Sequence, residues 1–165
     1  MKTMGTKWLM IFLALCLLAT LCACSAEGDD ADDAYYISYK GAKICPGAEA
    51  GNLLETLGEP NTEKNNGNCG GQGVQMKYSY DSFDLYLLES TDGKVTVDQI
   101  SLKDDLVETP KGIAIGSAKG DVLDTYGEPT TTTGKTLIYQ KGKQELVFKL
   151  NGDAVSAIDI IHVTQ

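Results

Sequence analysis

One feature constrains this chain more than any other: a stretch near its middle occurs twice. Residues 44–60 and 113–129 align without a gap at a constant offset of 69 (113 less 44). Ile44 matches Ile113, Gly47 matches Gly116, Gly51 matches Gly120, Leu54 matches Leu123 and Thr56 matches Thr125, and both copies end in Gly-Glu-Pro at 58–60 and 127–129. Matches at structurally meaningful positions mark an internal duplication. Each copy reads as a short helix. Pro46 or Gly47 opens the first and Ser117 caps the second. Leu53, Leu54 and Leu57, or Val122, Leu123 and Tyr126, supply one apolar face. Gly58 and Gly127 suit the chain reversal at a helix end, and Pro60 and Pro129 prevent continuation. Helix termination accounts for Gly-Glu-Pro in full, leaving Glu59 and Glu128 as turn residues.

After each helix the hydrophobic period changes to two. The first copy has alternating runs at 74–80, 83–88 and 95–102, and the second at 136–140, 144–150 and 155–163. Period two is the signature of half-buried antiparallel strands. Asp92-Gly93 and Asn151-Gly152 are hairpin-turn pairs. Extended pieces at 35–44 and 111–115 precede the helices, and Thr109-Pro110 marks the seam. The expected class is α+β: two tandem repeats, each a helix plus a three-stranded antiparallel meander, with the helices on one face of the sheet. The expected segments are 1–23 signal peptide, 24–36 tether, 37–108 repeat 1 and 109–165 repeat 2. Each repeat alone is small for a core of its own.

The first segment is a targeting signal. Lys2 and Lys7 precede the apolar run 8–19, and Leu21-Cys22-Ala23-Cys24 follows before polarity begins at Ser25. That order is a secretory signal peptide; the run is short for a membrane span. Its ending resembles a bacterial lipobox, with Leu21 at minus three, Ala23 at minus one and Cys24 as the acylated residue. Two or three acyl chains on Cys24 anchor durably to a bilayer, at about 0.8 kcal/mol per buried methylene. Residues 25–34 (SAEGDDADDA) are acidic, lack aromatics, and read as an extended tether.

Charge narrows the function classes. The 165 residues carry 14 Lys, no Arg and 23 acidic residues, a formal charge of −9. Loss of Lys2 and Lys7 with the signal leaves 12 Lys against 23 acids, or −11. Such a chain lacks the clustered positive charge that DNA or RNA requires, so no nucleic-acid partner is expected. With Cys16 and Cys22 removed and Cys24 lipidated, Cys45 and Cys69 remain, and a single pair outside the cytosol implies a disulfide.

Catalytic parts are scarce. His162 is the sole imidazole, with no acidic or Cys cluster beside it in sequence, and reads as a strand histidine. Residues 67–73 are glycine-rich but lack the Gly-Lys-Ser/Thr ending of a phosphate loop. No catalytic residue, metal ligand or cofactor is assigned, and the chain is not expected to be an enzyme. Parity points to a surface instead. If Leu85, Leu87, Leu146 and Phe148 face the helices, then Tyr86, Leu88, Ile138 and Val147 face the other way, forming a candidate partner-binding patch rimmed by Gln99, Glu145 and Lys149.

The order of helix, Gly-Glu-Pro stop and meander, given twice, resembles the tandem repeat of β-lactamase-inhibitor-protein-like domains. Taken once, it is similar to outer-membrane assembly lipoproteins of the SmpA/OmlA type. The stretch 44–58, the Cys69-Gly70-Gly71-Gln72-Gly73 loop, Tyr78-Ser79-Tyr80 and residues 109–116 resemble lipoproteins of Clostridia-like Gram-positive bacteria. These resemblances imply fold and location rather than activity. The combined expectation is an extracytoplasmic lipoprotein on the cell membrane, a non-catalytic protein-binding or envelope-assembly module. Its partners would be the lipid bilayer, through acylated Cys24, and an envelope or extracellular protein. A small ligand-binding protein or hydrolase is the alternative.

Overall fold

The computed structural model describes residues 34–68, 71 and 73–163. The expected class does not hold. The described chain is mostly β, with ten strands and only two helices, of five and eight residues. A hairpin, β1 (Ile37–Tyr39) and β2 (Ala42–Ile44), leads into helix α1 (Leu53–Leu57). Four strands follow: β3 (Thr62–Asn68), β4 (Gly73–Ser79), β5 (Phe83–Ser90) and β6 (Val95–Leu102). Helix α2 (Lys119–Tyr126) precedes β7 (Thr131–Thr133), β8 (Thr136–Lys141), β9 (Gln144–Asn151) and β10 (Ala154–His162). In place of two three-stranded meanders there is one eight-stranded antiparallel sheet, in the order β3-β4-β5-β6-β10-β9-β8-β7. The expected composition omitted β3 and β7, whose sequences TEKNNGN and TTT have no apolar alternation. Both are edge strands, exposed at every residue.

Two chain-long rows of side chains build the core. Leu85, Ile100, Ile160, Leu146 and Tyr139 are cross-strand neighbours from β5 through β8, and all are buried. Beside them run Phe83, Leu102, Ile158, Phe148 and Leu137. Onto this face pack Leu57 of α1, Val122 of α2, and Ile37 and Ile44 of the hairpin, forming a single cluster. Aromatic rings lock both ends. Tyr80 stacks on Phe83 at 5.0 Å, with Tyr39 edge-on to Phe83 at 4.9 Å. In the other half, Tyr126 lies 5.5 Å from both Tyr139 and Phe148. Such offset and edge-to-face pairs add to the gain from burial.

The helix ends explain the Gly-Glu-Pro signal. Gly58 and Gly127 take φ of +78° and +76°, and their N–H groups donate to Leu54 and Leu123. In each half a tyrosine hydroxyl then donates to the glycine carbonyl, Tyr80 to Gly58 at 3.2 Å and Tyr139 to Gly127 at 2.9 Å. The helix starts differ from expectation. Pro46 and Gly47 precede a stretch that runs alongside β6, where Gly47 donates to the Val97 carbonyl and Ala50 to that of Val95. The N-cap of α1 is therefore Asn52. In α2 the N-cap is Ala118, whose N–H donates to the Asp121 carboxylate, while Ser117 Oγ accepts from Ala114.

Candidate functional site

The sheet face opposite the core is built by the same alternation. One row runs Asp84, Ser101, Asp159, Val147, Ile138 across β5, β6, β10, β9 and β8. The next runs Tyr86, Gln99, Ile161, Glu145, Gln140. Leu88 begins a third, between Gln75 and Thr96. The four residues singled out by parity thus share this outer face. Leu88 and Val147 are buried without joining the core cluster, and Tyr86 and Ile138 are half-buried. They do not form one patch. Ile138 and Val147 are cross-strand partners, and Tyr86 and Leu88 are neighbours along β5. The two pairs are three strand spacings apart, about 14 Å. Of the expected rim, Gln99 is Tyr86's cross-strand partner on β6, and Lys149 bonds into the polar strip that separates the pairs.

That strip went unrecognised in the sequence. Asp159 is buried to 7 % exposure and Asp84 to 9 %, on either side of Ser101. Ser101 Oγ donates to Asp159 Oδ1 at 2.6 Å, Gln99 Nε2 donates to the same oxygen at 3.4 Å, and Lys149 Nζ donates to Oδ2 at 2.8 Å. Lys77 Nζ lies 2.6 Å from Asp84 Oδ2, and Lys103 Nζ lies 3.6 Å from Oδ1, which is buried and accepts no hydrogen bond. Lys77 also sits 5.6 Å over the Tyr86 ring. A buried carboxylate persists only when paired and hydrogen-bonded. The legible trace was a charged residue at an in-sheet position: Asp159 between Ile158 and Ile160, and Asp84 between Phe83 and Leu85.

Burial by itself would raise the Asp84 pKa. The hydrogen bonds from Lys77 and Ser79, with the charges of Lys77 and Lys103, outweigh it and hold the carboxyl below its usual range. An unfolded Asp titrates near 3.9. A depressed folded value therefore adds stability that is complete above about pH 4 and disappears as pH falls through the folded pKa. Wild-type protein is expected to lose stability more steeply than Asp84→Asn below about pH 4. Urea midpoints measured across that range check it, and parallel slopes would count against the pairing.

Parity also separates potential catalytic groups. Ser101 and Asp159 point outward, whereas His162 shares the inward parity of Ile158 and Ile160. The imidazole packs against Gly47, where a Cβ would come within 3.0 Å of the ring. Burial lowers its pKa, opposed by the charge of Asp98 and aided by that of Lys143. These three residues therefore do not assemble into a Ser-His-Asp triad. Cys45 Sγ lies 3.2 Å from Gln144 Nε2 and 3.6 Å from the Tyr35 carbonyl. Gln144, itself buried, also donates to the Pro46 carbonyl at 2.6 Å and accepts from Tyr35 N–H at 2.8 Å, fastening the start of the domain to β9. Cys69, the expected disulfide partner of Cys45, lies outside the described residues, as do Cys24 with its expected acylation, the signal segment and nearly all of the tether. Among the described residues, no group of three or more His, Cys, Asp and Glu could hold a metal ion, and no helix is long and apolar enough to cross a membrane.

No protein-family profile and no curated protein sequence matches the chain. Among solved structures, it is similar to a DUF4309 family protein (YjgB) from Bacillus subtilis, at 11% identity and a TM-score of 0.47, over 77% of this chain and 87% of that one.

Proposed function

We propose that this chain is a lipoprotein held to the extracytoplasmic face of a cell membrane by acyl chains on Cys24, whose folded domain is a non-catalytic protein-binding module. The observation that carries the binding role is the outer sheet face. It sets two apolar pairs, Tyr86 with Leu88 and Ile138 with Val147, on either side of a strip of paired charge. The half-buried Tyr86 and Ile138, framed by charges already paired within the sheet, form a surface that can lose water at low cost on association. The signal segment and acidic tether support the location, since together they would hold the domain away from an anionic surface.

The test uses the full chain in its native cells with a photoreactive residue at Tyr86 or Ile138, and a control at Asp124 on α2. A discrete crosslinked product from the first two positions and none from the third is expected. Tyr86→Ser with Ile138→Ser spares the buried Leu88 and Val147, and should abolish that product at unchanged thermal stability. Equal crosslinking from all three positions would refute a face-specific module.

A further inference from the structure

We infer that the groove between α1 and β4 is a docking site for a peptide segment in which an apolar side chain is flanked by lysine or arginine. The two halves of the molecule differ at this place. In the second half, Tyr126 at the end of α2 covers β8 and β9, with its ring against Tyr139 and Phe148. In the first half α1 is five residues long against eight for α2, and Leu57 stands where α2 has the Tyr126 ring. Val74, Met76 and Tyr78, which alternate along β4 on the helix side, are only partly covered. Val74 is one of two large apolar side chains exposed among the described residues, and Met76 and Tyr78 are half-buried.

The space above Met76 and Tyr78 is a cleft of about 240 Å³ that Leu54 and Leu87 also line. It adjoins a second of about 330 Å³ that shares Leu54 and Tyr78. The exposed strip on β4 spans two side-chain repeats, about 13 Å, the length of roughly four extended residues. Methionine at its centre supplies an adaptable contact surface.

Charge selects the occupant. Glu89 lines the first cleft, and Glu55, Glu59 and Glu63 line the second; no lysine lines either. Glu63 is the cross-strand partner of Tyr78, so both sit on the same face. The Tyr78 phenol is pushed up by burial and then by the charges of Glu63 and Glu89, so the field of both carboxylates reaches the groove floor. Lys40 is engaged beside the second cleft, donating to the Leu57 carbonyl at 2.9 Å, and Lys94 is paired with Glu49 at 2.8 Å. An apolar floor under an acidic rim matches an apolar side chain flanked by cations, and repels an acidic segment or an anionic surface.

This inference goes beyond the outer-face reading and depends on neither the lipid nor that face. The test takes the full chain, purified in non-ionic detergent, and titrates it with the peptide Lys-Lys-Phe-Lys-Lys. Binding is followed by the methyl NMR signal of Met76, the sole methionine after the first ten residues. Saturable movement of that signal is expected. Lys-Lys-Ala-Lys-Lys should bind about tenfold more weakly, and Glu-Glu-Phe-Glu-Glu should leave the signal still. Glu63→Gln with Glu89→Gln should weaken binding about fivefold, while Asp124→Asn with Glu128→Gln, an equal change of charge on the α2 side, should change it less than about twofold. The proposal is overturned if the two charge pairs weaken binding alike, if the alanine peptide binds as well as the phenylalanine one, or if the Met76 signal does not move. Those failures would leave the Tyr86 crosslinking result untouched, and the reverse also holds.

Discussion

Phe148→Ala is expected to cost about 3–5 kcal/mol of stability, the range for removing a fully buried aromatic side chain. Phe148 has no exposed surface. Its ring meets Tyr126 at 5.5 Å and Tyr139 at 5.9 Å, so truncation opens a cavity where α2 rests on the sheet. The neighbours cannot close it cheaply. Tyr139 is tied through its hydroxyl to the Gly127 carbonyl, and Leu137 and Ile158 are held in register on both sides by cross-strand pairing. Since domains are stable by only about 5–15 kcal/mol, the loss takes a large share of the total. Urea unfolding followed by tyrosine fluorescence measures it. A loss below about 1.5 kcal/mol would mean that this end of the core is looser than the aromatic packing implies.

Cys24→Ser is expected to move the protein almost entirely from the membrane fraction to the soluble envelope fraction or the medium. Each methylene of an acyl chain contributes about 0.8 kcal/mol to membrane attachment, so two or three chains dominate every other term. With the proposed signal segment removed, little else along the sequence would compete, because the remaining chain would be acidic and residues 25–34 would repel an anionic surface. Fractionation of cells expressing both forms, with mass spectrometry of the N-terminal peptide, reads the outcome. Full retention of the Ser variant with membranes would remove the lipid anchor from the proposal while leaving the domain's binding surfaces open to test.

Much of the β structure could be read locally. Residues 83–88, 95–102 and 144–150 each place apolar side chains at alternate positions, Leu85 and Leu87 or Leu146 and Phe148 among them, because one face of each strand is core. The edge strands were illegible for the same reason in reverse. An edge strand exposed at every residue has no apolar face, so Thr62–Asn68 looks like a polar loop. These omissions, with the short helices and the β1–β2 hairpin, change the class from α+β repeats to a mostly β fold. Parity also identified Tyr86, Leu88, Ile138 and Val147 as facing away from the core. What parity could not supply was distance. Their separation follows from β6 pairing with β10, a contact between residues 60 positions apart, such as Ile100 and Ile160, that no local pattern encodes. The Asp84–Ser101–Asp159 strip is hidden likewise, since three residues from three strands meet only once strand order is known.

The two edges bear on how anything can attach to this sheet. A free edge offers a row of unpaired N–H and C=O groups, and many proteins recruit partners by letting them add a strand there. Neither edge here invites that. β7 is three residues long, too short to template a stable pairing, and β3 carries Glu63 and Lys64 and slips register between Asn65 and Gly67. Irregularity and charge of this kind deter backbone pairing. Under the proposed binding role, recognition is left to side chains, and selectivity should follow a partner's sequence rather than a mere readiness to adopt an extended conformation.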